Sequence, residues 1–326
     1  MGSYLINRIM SQGKGVFGIL FFSSFLIVLS SEDWFLIWVG LEINIIRFIS
    51  LIYSRRMLRV ESRLKYFFVQ SLGSGVLIAM FYVEFIYFDI MCILILSYKM
   101  GRGPFFFWFP SVCRGIRWGS CLMLIRVQKI IPMILISIII RFVLWFISFF
   151  SMFIGAIGSL NQVNLKRLIA YSSVHHIGWI LISMYVMSIG WFFYLLIYFF
   201  ILLGVVVSFS WREISLFSII KGVRVKWRFV LRILNIGGIP PFIGFFLKWW
   251  VFYYFCSFDS IIIIVIIVMS LFMFYAYSRI VYSILLGGLV RGRWGQMWII
   301  KIERLNIDIF YFLGLNFSSL ILLILI

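Results

Sequence analysis

The sequence predicts an all-α protein, a polytopic bundle of membrane helices, and three observations carry that expectation. Hydrophobic types make up 64% of the 326 residues and charged types 12%, where a soluble domain carries about 25% charged residues. Mean hydropathy is +1.15. The apolar runs are long enough to cross ~30 Å of hydrocarbon, which takes about 20 helical residues. Loops and open strands cannot cross, because their backbone groups would go unpaired in lipid. A soluble enzyme is excluded on composition.

Eleven spans are expected, near 15–31, 34–53, 66–87, 89–104, 119–140, 142–160, 168–187, 190–210, 229–257, 260–287 and 305–326. Only an acidic turn, Glu32 and Asp33, separates the first two. The segment 105–118 is rich in Phe and Trp but carries Arg114 and Arg117, so it reads as a re-entrant or interfacial piece. The span 260–287 holds a single charge, Arg279. No soluble domain remains once the spans are removed, and a single transmembrane domain over 1–326 is expected.

The formal net charge is +19. When the connections are alternated between two sides, the N-terminal side collects the basic residues, Arg55, Arg56, Arg59, Arg102, Arg167 and Arg232 among them. The other side holds Glu32, Asp33, Glu84, Asp89 and Asp259, with Arg141 as its one basic residue. The positive-inside rule gives this segregation and puts the N-terminus in the matrix or cytoplasm. The basic excess is therefore topological, and no nucleic-acid partner is expected. The four cysteines, at 92, 113, 121 and 256, make no C-x-x-C pair, so a metal site or disulfide framework is not expected. Neither a signal peptide nor a transit peptide is legible at the N-terminus, so import from another compartment is not expected. The chain contains no threonine and 38 phenylalanines. Scarcity of residues with cytosine-containing codons suits a small organellar genome.

The sorting leaves Glu42, Arg47, Lys99, Arg126, Lys129, Lys248, Arg279 and Asp308 inside spans. A charge at the bilayer centre costs at least ~2.5–3.5 kcal/mol, and such residues usually face a bundle interior or lie on an ion path. Arg47, Arg279 and Asp308 read as static or snorkelling side chains. Arg126 is left open. Glu42, Lys99, Lys129 and Lys248 differ. Glu42 sits mid-span beside Gly40, and four of the chain's five prolines, Pro104, Pro132, Pro240 and Pro241, lie close to the three lysines. Proline removes a backbone donor and breaks the helix, and discontinuous helices with ionisable groups at the break are a common construction of ion-transport sites. Lysine suits proton transfer because burial and a nearby carboxylate pull a buried amine in opposite directions, so one proton moved nearby can switch it.

These residues carry a family resemblance. Trp38-Val39-Gly40-Leu41-Glu42-Ile43-Asn44, Gln128-Lys129-Ile130-Ile131-Pro132, His176-Ile177-Gly178-Trp179 and above all Gly237-Gly238-Ile239-Pro240-Pro241-Phe242 resemble subunit 2 of the proton-pumping mitochondrial NADH:ubiquinone oxidoreductase, complex I. The matching motifs keep the family order and spread over nearly the whole chain. The resemblance implies an antiporter-like subunit of the membrane arm, an enzyme only as part of NADH:ubiquinone reductase. It implies no redox cofactor in this chain, with NADH, FMN, iron–sulfur clusters and ubiquinone in partner subunits. Electron transfer there would drive proton movement here. By position, Glu42 and Lys99 would form the coupling pair and Lys129 the central relay. Lys248 would lead toward the exit or the next subunit, and His176 is a possible path residue. The implied partners are the antiporter-like and small core membrane-arm subunits, accessory subunits, cardiolipin and other lipids. The implied location is the mitochondrial inner membrane, with the N-terminus in the matrix and the C-terminus in the intermembrane space.

The chain also departs from the family. Phe106 stands where the family usually has a histidine, Ser111 where it has an acid, and His175 and Arg47 are extra. Arg47 competes with Lys99 as a counter-ion for Glu42 in this reading. Two alternatives stay open at this stage: a stand-alone cation/proton antiporter of the same ancestry, and an assembly scaffold whose charges are inert.

Overall fold

Lipid leaves a backbone N–H or carbonyl no partner but its own chain, so apolar runs of this length fold as helices. The computed structural model describes residues 18–19, 21–53, 56–82, 88–139, 142–160, 162–186, 190–210, 226–255 and 260–289. The expected span 305–326, with Asp308, lies outside them, as do Arg141, Glu84 and Asp259. Each of the other expected spans contains helix.

Two compact units divide the chain, 1–143 and 144–326. In the first, α1 is Phe21–Ser30, α2 Trp34–Leu51, α3 Met57–Tyr82 and α4 Phe88–Met100. A single 3-10 turn, Gly103–Phe105, leads into α5, Trp108–Gly115, followed by α6, Trp118–Ile125, and α7, Val127–Ile138. Helix α3 packs on α2, α4 and α5, and α7 packs on α4 and α6. Helix α3 starts earlier than the hydropathy suggests, because residues 57–65 are good helix formers and a Glu61–Lys65 ion pair of 2.5 Å supports the turn. The α4–α5 pair is bent by 93°, in keeping with a re-entrant reading of 105–118.

In the second unit, α8 is Phe142–Ser159, α9 Leu165–Val186, α10 Gly190–Ser210, α11 Lys226–Gly237, α12 Ile243–Phe255 and α13 Ser260–Leu289. The expected span 229–257 is thus two helices, parted at Gly238, Pro240 and Pro241. Glycines let α8 and α9 meet at backbone distance. A Cβ on Gly155 would stand 2.6 Å from the His175 nitrogen, and one on Gly158 would strike the Tyr171 ring. Helix α12 packs on α9, α10 and α11, and α11 also packs on α10 and α13.

Among the described residues, five helical stretches are long and apolar enough to cross a membrane unaided, and the bent α4–α5 pair makes a sixth. Serines inside spans satisfy themselves by donating to the carbonyl three residues back, as Ser24 does to Phe21 at 2.6 Å and Ser148 to Trp145 at 2.6 Å. They bring polarity into the bundle without a buried orphan.

Candidate functional site

In the first unit the site grows from the end of α4. Gly101 has φ +65°, a left-handed conformation that glycine adopts freely. The Arg102 N–H reaches the Ser97 carbonyl and the Gly101 N–H reaches that of Tyr98, both at 3.1 Å. These are the two bonds of a Schellman motif. Side chains from elsewhere also reach the terminal carbonyls. Gln70 of α3 donates to the Lys99 carbonyl at 2.7 Å, and the Trp108 indole donates to that of Tyr98 at 3.1 Å. The turn at Gly101 and Pro104 therefore stops α4 one residue beyond Lys99 and holds that lysine in its last turn.

Lys99 and Lys129 are 5% and 3% exposed, and among the described residues neither ammonium nitrogen has a hydrogen-bond partner. Both line one cavity of about 20 Å³, together with Asn44, Tyr66, Gln70 and Gln128. One water needs roughly 10–15 Å³ in that measure and 2–4 polar partners, so the cavity suits a bridging water. The Gln128 amide donates to Asn44 at 3.0 Å, joining α7 to α2 across it. Pro132 lines the same cavity. Having no N–H, it makes no helical hydrogen bond to the Gln128 carbonyl four residues earlier. The Lys129 nitrogen also lies 3.8 Å from the centre of the Phe109 ring, within cation–π range.

Glu42 is half-buried and accepts the Ser74 hydroxyl of α3. Among the described residues it makes no ion pair with Lys99 or with Arg47, so the rivalry expected from Arg47 is not realised by contact. Glu42 and Lys99 do act on each other electrostatically. The link between them is α3: Ser74 holds the acid, and the neighbouring Gly73 carries the Lys99 stem.

In the second unit Lys248 is 7% exposed and donates to the Gly237 carbonyl at 3.1 Å. That carbonyl is freed where α11 ends, at Gly238 with φ +79°. Pro240 and Pro241 sit at the exposed corner of the break. The Asn235 side chain accepts the Gly244 N–H at 3.0 Å and ties the start of α12 to α11.

The two adjacent histidines separate in role. His175 Nδ1 faces the Met152 carbonyl at 3.2 Å, an oxygen that can only accept, so Nδ1 carries the proton. Its Nε2 then accepts the Trp179 indole N–H at 3.1 Å. Both ring nitrogens are committed, which makes His175 a structural tie between α8 and α9. His176 instead faces the Tyr194 hydroxyl at 2.9 Å and stacks on Tyr198 with ring centres 4.0 Å apart. A hydroxyl can donate or accept, so this contact tolerates either state of the imidazole.

Sequence reasoning missed several residues. Ser74, Gln70 and Asn44 are small polar residues in apolar spans and carry no separate signal. Arg102 and Arg232, counted with the basic connections, are 0% and 9% exposed. Helix α11 starts before Arg232 and carries it inward, where it donates to the Gly204 carbonyl of α10 at 2.7 Å. Arg279 donates to the Leu160 carbonyl just past α8, a fixed contact in line with its static reading. Among the described residues, no group of three or more His, Cys, Asp or Glu side chains could hold a metal ion.

Known proteins match this architecture. The family model described as NADH:quinone oxidoreductase/Mrp antiporter, TM, matches residues 82–273. NADH-ubiquinone oxidoreductase chain 2 of Anopheles gambiae is 35% identical, over 86% of this chain and 88% of its own length. The Aedes aegypti chain 2 is 32% identical, over 96% of each. Among solved structures, a chain of respiratory complex I from Thermus thermophilus with bound aureothin superposes with TM-score 0.73 at 22% identity, covering 90% of this chain and 75% of that one. A chain of the archaeal membrane-bound sulfane sulfur reductase gives 0.78 at 15% identity, covering 93% and 73%. Those two show the antiporter-like fold, and the sequence relatives show the lineage: the chain belongs to the NADH-ubiquinone oxidoreductase chain 2 family.

Proposed function

We propose that this chain passes protons across the membrane through Glu42, Lys99, Lys129 and Lys248, with His176 on the same path. As a chain 2 member it is an antiporter-like membrane-arm subunit of proton-pumping NADH:ubiquinone oxidoreductase. The observation that carries the relay is the cavity shared by Lys99 and Lys129, whose two ammonium nitrogens have no hydrogen-bond partner among the described residues. A static pair of buried lysines would be capped by carbonyls or carboxylates. These two share a space of water size instead, and a proton can cross it in one water-mediated step. Glu42, acting on Lys99 through its charge, supplies the input side, and Lys248 the output side.

The redox chemistry belongs to NADH, FMN, iron–sulfur clusters and ubiquinone in partner subunits of the complex. The whole chain works as one antiporter-like domain, among the other membrane-arm subunits and cardiolipin, in the mitochondrial inner membrane. The segregation of basic residues supports an N-terminus in the matrix and a C-terminus in the intermembrane space.

The test is Lys129→Met in the assembled complex, with protons moved per NADH oxidised measured in sealed vesicles and assembly followed on native gels. The relay requires normal assembly with a lower proton yield or lower coupled turnover. Full retention of both would return the charges to an inert scaffold.

A further inference from the structure

The relay does not use the most deeply buried charge of the first unit. Arg102 is 0% exposed, and among the described residues its Nε, Nη1 and Nη2 have no hydrogen-bond partner. Nor does any carboxylate among the described residues act on it. A guanidinium has five N–H donors and keeps its proton under all ordinary conditions. Leaving it so enclosed is expensive, which asks what its charge does.

The local chain answers where that charge lies. Gly101 abuts Phe109 so closely that a Cβ there would stand 2.7 Å from the Phe109 Cβ. The Phe109 ring in turn carries the Lys129 nitrogen at 3.8 Å. Arg102, next to Gly101, is thereby brought within electrostatic reach of Lys129, and Arg126, at the start of α7, is too. The remaining titratable groups around Lys129 are Cys113 of α5, Cys121 of α6 and, across the cavity, Lys99 and Tyr66. Among the described residues, no carboxylate joins this group.

Three buried cations crowded together cannot all remain charged at low cost. Of the three, only the lysine can give up its proton. We propose that Arg102 is a fixed positive charge that keeps Lys129 an empty proton acceptor between transfers. The proposal rests on Lys129 being a relay residue. In each cycle an N–H bond of the Lys99 ammonium breaks, and its proton passes to a cavity water. That water gives up another proton, which forms an N–H bond on the Lys129 amine. The charge moves without any electron transfer. Repulsion from Arg102 then favours onward release, so the lysine is reset for the next proton. Arg102 is a positioning residue for charge, acting through Lys129 and touching no substrate.

The test compares Arg102→Met and Arg102→Gln, which remove the charge, with Arg102→Lys, which keeps it, in the assembled complex. Lys129→Met is measured beside them. With the repelling charge gone, nothing drives Lys129 to pass its proton on after each transfer. The pH profile of coupled turnover should therefore depart from that of the unaltered complex in both neutral variants, with proton yield per NADH falling several-fold. Arg102→Lys should restore both. An unchanged pH profile and yield in the neutral variants, with Lys129→Met defective, would overturn the role of Arg102 and leave the relay standing. Failure of both neutral variants to assemble, or failure of Arg102→Lys to rescue, would make Arg102 a structural residue. Normal pumping by Lys129→Met would remove the relay and this inference with it.

Discussion

Gly73 of α3 lies against the side chain of Lys99, where an added Cβ would stand 3.0 Å from Lys99 Cγ and 3.2 Å from its Cε. The next residue, Ser74, donates to Glu42. One step of α3 thus sets both the acid and the lysine of the proposed input side. Gly73→Ala should assemble normally, because alanine is favoured in a helix over glycine by about 1 kcal/mol and the lysine stem can yield by a few tenths of an ångström. It should lower coupled turnover several-fold, since the yielding group is the relay lysine. Native gels and proton yield in vesicles check the two halves, and unchanged pumping would show that the position of Lys99 tolerates displacement.

Pro132 supports a second prediction. Replacing it with alanine gives α7 back an N–H for the Gln128 carbonyl, and a helix-interior proline costs ~3 kcal/mol relative to alanine. The variant complex should melt no earlier than the unaltered one. Its proton yield should fall, because Pro132 lines the Lys99–Lys129 cavity and its loss reshapes that wall. A stabilised complex with full yield would show that Pro132, which sits inside α7 without ending it, serves packing alone.

The candidate lysines were legible because each lies within a few residues of a proline, which removes a backbone donor from the helix. Lys99 precedes Gly101 and Pro104, Lys129 precedes Pro132, and Lys248 follows Pro240 and Pro241. Their surroundings were not legible. Whether Arg102 faces solvent or the interior depends on the left-handed turn at Gly101, and hydropathy is blind to a turn's direction. Arg232, within the first turn of the expected span 229–257, was counted with the basic side because hydropathy does not show which face of α11 it occupies. The link through Gly73 and Ser74 depends on helix rotation, which these small residues do not reveal in an apolar segment. The two histidines are alike in sequence context and part only through their partners, Met152 and Trp179 for one, Tyr194 and Tyr198 for the other.

That difference yields a third prediction. His175→Ala should destabilise the complex by roughly 2–4 kcal/mol, through a cavity at the α8–α9 crossing and an unpaired Trp179 indole. What assembles should pump at the normal yield per NADH. His176→Phe keeps the stacking on Tyr198 and removes the nitrogen facing Tyr194. It should assemble with a stability loss of about 1–3 kcal/mol, the cost of depriving the buried Tyr194 hydroxyl of a partner, and with reduced proton yield. The reverse pattern would exchange the roles assigned to the two rings.

The join between α11 and α12 gives the last prediction. A Cβ on Gly244 would stand 1.9 Å from the Asn235 carbonyl oxygen, and a backbone atom cannot swing aside as a side chain can. The Gly244 N–H is tied to the Asn235 side chain at 3.0 Å. Lys248, one turn further along α12, reaches back to the Gly237 carbonyl. Gly244 therefore sets the depth at which Lys248 sits. Gly244→Ala should push the two helices apart and cost at least ~3 kcal/mol, the upper end for overpacking a well-filled interior, with little assembled complex. Asn235→Ala removes one hydrogen bond while the close approach stays possible, and should cost about 1–3 kcal/mol with assembly retained. Melting of the detergent-purified complex orders the two variants. If Asn235→Ala proved the more damaging, the hydrogen bond and not the close approach of the helices would be what places Lys248.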